Sequence, residues 1–189
     1  MDTEKAAIPK LIGLYSPAPQ SGKTTLALFM EEHLGFERRS FSFPIKIMVE
    51  TFLRSAGLDR SLIDKLSLRF KESAITPIGG ASYRELCQTL GTNWGRDLIH
   101  KQLWIDILMQ SLSKTKPTVI DDVRFPNEAD TIHSLGGEIW HINRPNRPLL
   151  NGHLSEGLLG NTAFDRVLWN AGTQQELFQQ LIFPERSIN

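Results

Sequence analysis

Apolar positions follow two alternating periods along the chain. "LIGLY", Leu11–Tyr15, is a short apolar run of the buried parallel-strand kind, and Leu26, Ala27, Met30 and Leu34 recur at helical spacing around residues 24–33. The pattern next predicts a strand in "RRSFSF" and a helix in "PIKIMVETFLRSAG" that opens on Pro44 and stops near Gly57. Residues 58–82 are less regular, with a short helix in "SLIDKL" and a Gly/Pro loop in "TPIGGAS", and are the expected place for an inserted or mobile region. Residues 83–113 read as helical again, broken near Gly91 and Gly95, with Leu86, Leu90, Trp94 and Leu98 as the apolar face. "TVIDDV" predicts a central strand. A helix through residues 129–135, a Gly-Gly turn, the strands "EIWHIN" and "RVLWN" and the helix "TQQELFQQLI" follow. Strands alternating with helices predict a parallel sheet covered on both faces, with ligand groups gathered beyond the carboxyl ends of the strands.

The segment between the first strand and the first helix carries chemistry. "SPAPQSGKTT" matches the rule Gly-x-x-x-x-Gly-Lys-Ser/Thr through Gly22, Lys23 and Thr24, with Pro17 in the opening slot. Such loops bind phosphate through backbone N–H groups, the positive end of the following helix, the lysine charge and a hydroxyl for magnesium. Most of that work falls to the second half, here Gln20, Ser21, Gly22, Lys23, Thr24 and Thr25. Proline serves at the entrance where φ near −65° suits the path and no N–H is needed, so Pro17 and Pro19 predict a stiffer entry.

Composition narrows the class. A length of 189 residues supports one well-buried domain, and 40% hydrophobic with 22% charged residues is ordinary for a globular protein. A net charge of zero gives no indication of a nucleic-acid surface, so functional positive charge must be focused in a site. One cysteine, Cys87, suits a reducing compartment, and no run of about eighteen apolar residues or signal-peptide pattern is present. The expectation is a cytoplasmic protein with no membrane partner; a homodimer is compatible with this composition. The five histidines lack HExxH-type spacing, which argues against zinc.

Further groups fall at predicted strand ends and helix faces. "TVID" before "DVRFPNE" has the form of a strand that delivers a carboxylate to magnesium, so Asp121 or Asp122 would fill that role, with Arg124 on the same side as Asp122 in an extended chain. Arg124 would reach a phosphate bidentately; an ion pair with Glu128 is the competing reading. In "SYRELCQTLGTNWGRDLIHKQLW", Arg84 and Gln88 share a helix face and Arg96 follows, which suits phosphate and base edge of a nucleotide acceptor. Trp94 or Trp104 would give an apolar wall, against the alternative that both are core. Arg144 and Arg147, in "NRPNRPLLNGHLSE", stand in a proline-rich loop suited to a lid over polyphosphate.

Taken in order, "SGKTT", "FPIKIMVETF", "RELCQTLGTNWGRDLI" with "LWI", "IDDVRFPNEAD" with "LGGEIWHINRP", and "HLSE" resemble the deoxynucleoside monophosphate kinases of tailed phages and prophages. The resemblance covers nearly the whole chain. It implies an α/β, three-layer P-loop kinase fold over 1–189, with a mainly helical acceptor-binding region near 44–113 and a short lid near 144–156. It implies ATP and Mg2+ as cofactors and a small nucleotide as substrate. Lys23, Asp122 and Arg124 would be catalytic, with Thr24 and Asp122 on the metal. Gln20, Ser21, Gly22, Lys23, Thr24, Thr25, Arg144 and Arg147 would hold ATP, and Lys46, Arg84, Gln88, Arg96 and Trp104 the acceptor. Members of that family usually have a more glycine-rich loop entrance and an acidic residue after the lysine, where this chain has Pro17 and Thr24. Two other readings stand beside it: a kinase for another small phosphorylated acceptor such as phosphomevalonate, and a regulatory nucleotide-binding module that scarcely turns over.

Overall fold

The computed structural model describes residues 8–145, 159 and 164–182. The chain divides into two compact units, one formed by residues 1–40 and 111–189 and the other by residues 41–110.

The first unit is built on a five-stranded parallel sheet in the order β2-β3-β1-β4-β5, with β1 Leu11–Tyr15, β2 Glu37–Arg39, β3 Thr118–Ile120, β4 Glu138–Asn143 and β5 Arg166–Trp169. Side chains alternate across it. Ile12, Leu14, Val119, Trp140, Ile142 and Leu168 pack with Leu26, Ala27 and Met30 of α1 (Lys23–Leu34) and Leu177 and Leu181 of α7 (Gln174–Ile182). Gly13 points to the opposite face, where a Cβ would lie 2.7 Å from Ile132 of α6 (Pro126–Ser134) and 2.8 Å from Val123 and Ile139. Helix, sheet and helix thus form three layers, and β1 is central because its middle residue leaves room for α6.

The strands flanking the site are shorter than their sequence pattern. β2 ends at Arg39, paired with Ile120, and α2 (Phe43–Ser55) starts one residue before Pro44, so "RRSFSF" is only partly strand. β3 stops at Ile120, although Asp121 N–H still donates to Arg39 O at 3.1 Å; the Asp121 side chain accepts from Arg38 Nη1 at 3.3 Å and that of Asp122 from Ser40 Oγ at 2.7 Å.

The second unit is helical. α2 buries Ile45, Val49 and Leu53 against Ile63 and Leu66 of α3 (Arg60–Leu68), Tyr83 of α4 (Tyr83–Gln88) and Trp104 of α5 (Leu103–Ser111). Residues 58–82 are more ordered than their sequence suggested. Asp59 caps α3 by accepting from Leu62 N–H at 2.9 Å, Ile75 is buried, and Ala74 bridges Ser82 ahead of a capping box between Ser82 and Glu85. The expected break near Gly91 and Gly95 does not occur either. α4 runs on as a wide π-helical segment, Thr89–Ile99, which ends at the extended His100.

Both glycines face inward there. A Cβ on Gly95 would lie 2.4 Å from Trp104 Cζ2, and one on Gly91 2.9 Å from Ile45 Cδ1. The small residues therefore face the core, and Trp94 and Leu98 are left exposed rather than forming the expected apolar face.

Candidate functional site

The loop from Ser16 to Gly22 joins the end of β1 to the start of α1. Gln20 has φ 54°, a left-handed conformation that costs a non-glycine residue roughly 1 kcal/mol. Gly22 follows at φ 104° and opens α1, its carbonyl accepting from Leu26 N–H at 2.9 Å. Lys23 folds back across the loop, its Nζ donating to Ser16 O at 3.3 Å and Ser21 Oγ at 3.2 Å. Ser21 is buried and Thr24 is exposed in the first turn of the helix. The helix has no acidic residue in its first turn, so its positive end is uncompensated by its own side chains.

Beside the loop lies a cleft of about 410 Å³ lined by residues 20–25 with Arg144, Asn170, Gly172, Gln174 and Leu177. The structure thus brings together Gln20, Ser21, Gly22, Lys23, Thr24, Thr25 and Arg144. Arg144, just past β4, donates from Nη1 to Gln20 O at 2.7 Å, and Asn170, just past β5, donates from Nδ2 to Ser21 O at 2.8 Å. Arg147 and most of the expected lid lie outside the described residues. Asn170, Gly172, Gln174 and Leu177 were missed in the sequence, although the strand-end rule places the residues after "RVLW" at this rim.

β3 reaches the same rim through the register Gly13 with Ile120. Asp121 is engaged by Arg38, whereas Asp122 takes the Ser40 hydroxyl. Arg124 is exposed, and no described carboxylate pairs with its guanidinium. Glu128 is 2% exposed and instead accepts the backbone N–H groups of Arg124 at 2.7 Å and Phe125 at 3.1 Å. The Arg124–Glu128 contact is therefore a backbone clamp that fixes where the arginine emerges, not a side-chain ion pair. His141 of β4 stands near the loop, its ring 5.6 Å from that of Tyr15, and burial together with the Lys23 charge lowers its pKa from the ordinary 6.5.

In the second unit, Lys46 is exposed on α2, and Arg84 of α4 pairs through Nε with Glu72. Burial raises the Cys87 thiol pKa, while the charges of Lys46, Lys71 and Arg84 and a hydrogen bond with Tyr83 oppose the rise. Lys71 was not singled out in the sequence; its carbonyl accepts the Arg84 N–H at 2.9 Å. Gln88 ends α4 half-buried, and Arg96 donates to Lys101 O at 3.3 Å from the π-helical segment. Trp104 requires correction. It is 2% exposed and donates from Nε1 to Gly91 O at 2.7 Å, so its ring is core and not a wall open to a ligand.

No helix among the described residues is long and apolar enough to cross a membrane. The family model described as deoxynucleotide monophosphate kinase matches residues 71–181. A protein of Acanthamoeba polyphaga mimivirus assigned as a deoxynucleotide monophosphate kinase is 34% identical over 192 residues, which cover 91% of this chain and 94% of its own. The deoxynucleoside-5'-monophosphate kinase of Escherichia phage T5 is 47% identical over 53 residues, 27% of this chain and 21% of its own. Among solved structures, TT1252 from Thermus thermophilus has a TM-score of 0.50 at 17% identity, covering 93% of this chain and 95% of its own, a likeness of fold.

Proposed function

We propose, from the premise that the chain belongs to the deoxynucleotide monophosphate kinase family, that it transfers the γ-phosphoryl group of ATP to a deoxynucleoside 5′-monophosphate. The three-layer α/β architecture, with a Gly-Lys-Thr turn between β1 and α1, suits a P-loop kinase. The observation that carries the reading is the Gly22-Lys23-Thr24 turn opening on a cleft of about 410 Å³, with Asp122 and the exposed Arg124 just beyond the end of β3.

In this reading the backbone of Gln20 to Thr25 cradles the triphosphate, and Lys23 leaves Ser16 and Ser21 to neutralise its charge. Arg144 lies on the same cleft. The exposed Thr24 hydroxyl and the Asp122 carboxylate are hard oxygen donors that suit Mg2+, and Asp121, held by Arg38, is the weaker candidate. Held by Thr24 and Asp122, the ion would supply positive charge to offset the negative charge that develops on the phosphates during transfer.

Arg124 draws the acceptor phosphate toward the donor against their mutual repulsion. Lys46, Arg84, Gln88 and Arg96 serve the acceptor. An acceptor phosphate oxygen attacks the γ-phosphorus, the bond to the β,γ-bridging oxygen breaks, and ADP leaves with that electron pair. The products are ADP and a deoxynucleoside diphosphate. The single cysteine suits a reducing cytoplasm.

A coupled assay of ADP release against a panel of deoxynucleoside monophosphates, their ribose counterparts and phosphomevalonate tests this. Release that depends on a deoxynucleoside monophosphate is expected. Release with phosphomevalonate alone, or at one rate with no acceptor, would contradict it.

A further inference from the structure

We propose that Asn170 and Arg144 are positioning residues that pin the outward carbonyls of the phosphate loop and thereby aim its N–H groups, supplying the order that a loop entered through Pro17 does not get from its own first glycine. This rests on the reading of residues 20–25 as the ATP site.

In a planar trans peptide, C=O and the following N–H point in opposite directions. Fixing the Gln20 carbonyl therefore fixes the Ser21 N–H, and fixing the Ser21 carbonyl fixes the Gly22 N–H. Arg144 holds the first carbonyl at 2.7 Å and Asn170 the second at 2.8 Å. Both clamps come from strand ends far away in sequence, Arg144 after β4 and Asn170 after β5, so the sheet itself sets where they stand.

Asn170 is in turn anchored, because its own N–H donates to Asn143 O at 2.8 Å. Its amide lies so close that a Cβ on Gly22 would sit 2.6 Å from Nδ2. The loop needs such support. Gln20 holds a left-handed φ of 54° with a side chain, a conformation that persists where surrounding contacts over-determine it. The Pro17 ring stiffens the entrance but removes an N–H, leaving no backbone donor there.

The clamps act before ATP arrives. A loop already ordered loses less conformational freedom on binding, so the effect falls on ATP affinity and not on the acceptor. Asn170→Ala removes the donor, and Asn170→Asp keeps the shape while replacing the donor by a carboxylate, which guards against a packing defect in the first variant. Both are compared with the wild-type protein and with Lys23→Ala by calorimetric titration with MgATP, by steady-state kinetics and by thermal denaturation.

The expected result is an ATP Kd raised roughly tenfold or more in both Asn170 variants, with the acceptor KM within about threefold of wild type. In the ATP-free protein the Ser21 and Gly22 amide resonances are expected to shift. If Asn170→Ala binds ATP as the wild type does and those amides stay in place, the clamp is overturned, whatever happens to the melting temperature. The reading of the loop fails separately, when Lys23→Ala also binds and turns over ATP normally.

Discussion

Arg124 is the residue whose setting says most about chemistry. Glu128 stands four residues away, yet its carboxylate accepts the backbone N–H groups of Arg124 and Phe125 rather than the guanidinium. Among the described residues no carboxylate pairs with the exposed guanidinium, the group proposed to meet a phosphate. Replacing Arg124 by Ala is expected to leave ATP affinity within about threefold and to lower phosphoryl transfer by roughly a hundredfold, the scale for losing one preorganised contact to developing charge. Separate ATP titration and turnover measurements check it; full transfer in the variant removes Arg124 from the mechanism. Asp122→Asn is expected to raise the magnesium concentration needed for half-maximal rate. The residues of the loop and of the β3 end were legible in the sequence because their chemistry depends on local order: a strand, a turn, then a helix. Asn170 was not, since an asparagine after a strand carries no motif and its meaning comes only from the bond to Ser21.

At the scale of elements, α4 and the π-helical segment carry Arg84 and Arg96, the arginines proposed to serve the acceptor. Arg84→Gln and Arg96→Gln are expected to raise the KM for the monophosphate by roughly tenfold while leaving the ATP KM nearly unchanged. Equal changes in both constants would return these arginines to a structural role. The helical period was readable in this stretch and Leu86 and Leu90 of its expected face do pack on the core, but Trp94 and Leu98 do not. Periodicity assigns large apolar residues to the core, whereas here Gly91 and Gly95 make the room that Ile45 and Trp104 fill. Gly95→Ala is expected to destabilise the second unit by about 1–3 kcal/mol, the range for overpacking a filled core, as read by chemical denaturation. A variant as stable as the wild type would show that Trp104 can move.

At the scale of the whole molecule, the order β2-β3-β1-β4-β5 puts the ends of β3, β4 and β5 at the same rim as the loop after β1. The parallel α/β class followed from alternating patterns in the sequence; the strand order did not, because it is fixed by the pairing of residues more than a hundred positions apart, such as Gly13 with Ile120. The same packing makes stability depend on pH through His141. Its folded pKa lies below the ordinary 6.5, so the unfolded chain takes up the proton first, and stability present above 6.5 is lost as pH falls through the folded value. The stability of the wild type is expected to fall more steeply than that of His141→Leu as pH falls from 7 to 5, read from denaturation curves across that range. Parallel curves would take His141 out of the acid response. Transfer itself is read by incubating the protein with ATP labelled at the γ-phosphorus and a mixture of deoxynucleoside monophosphates, then identifying the labelled product. Label is expected in a deoxynucleoside diphosphate, with roughly a hundredfold less of it for Lys23→Ala. Label recovered only as inorganic phosphate, or equally in both proteins, would contradict it.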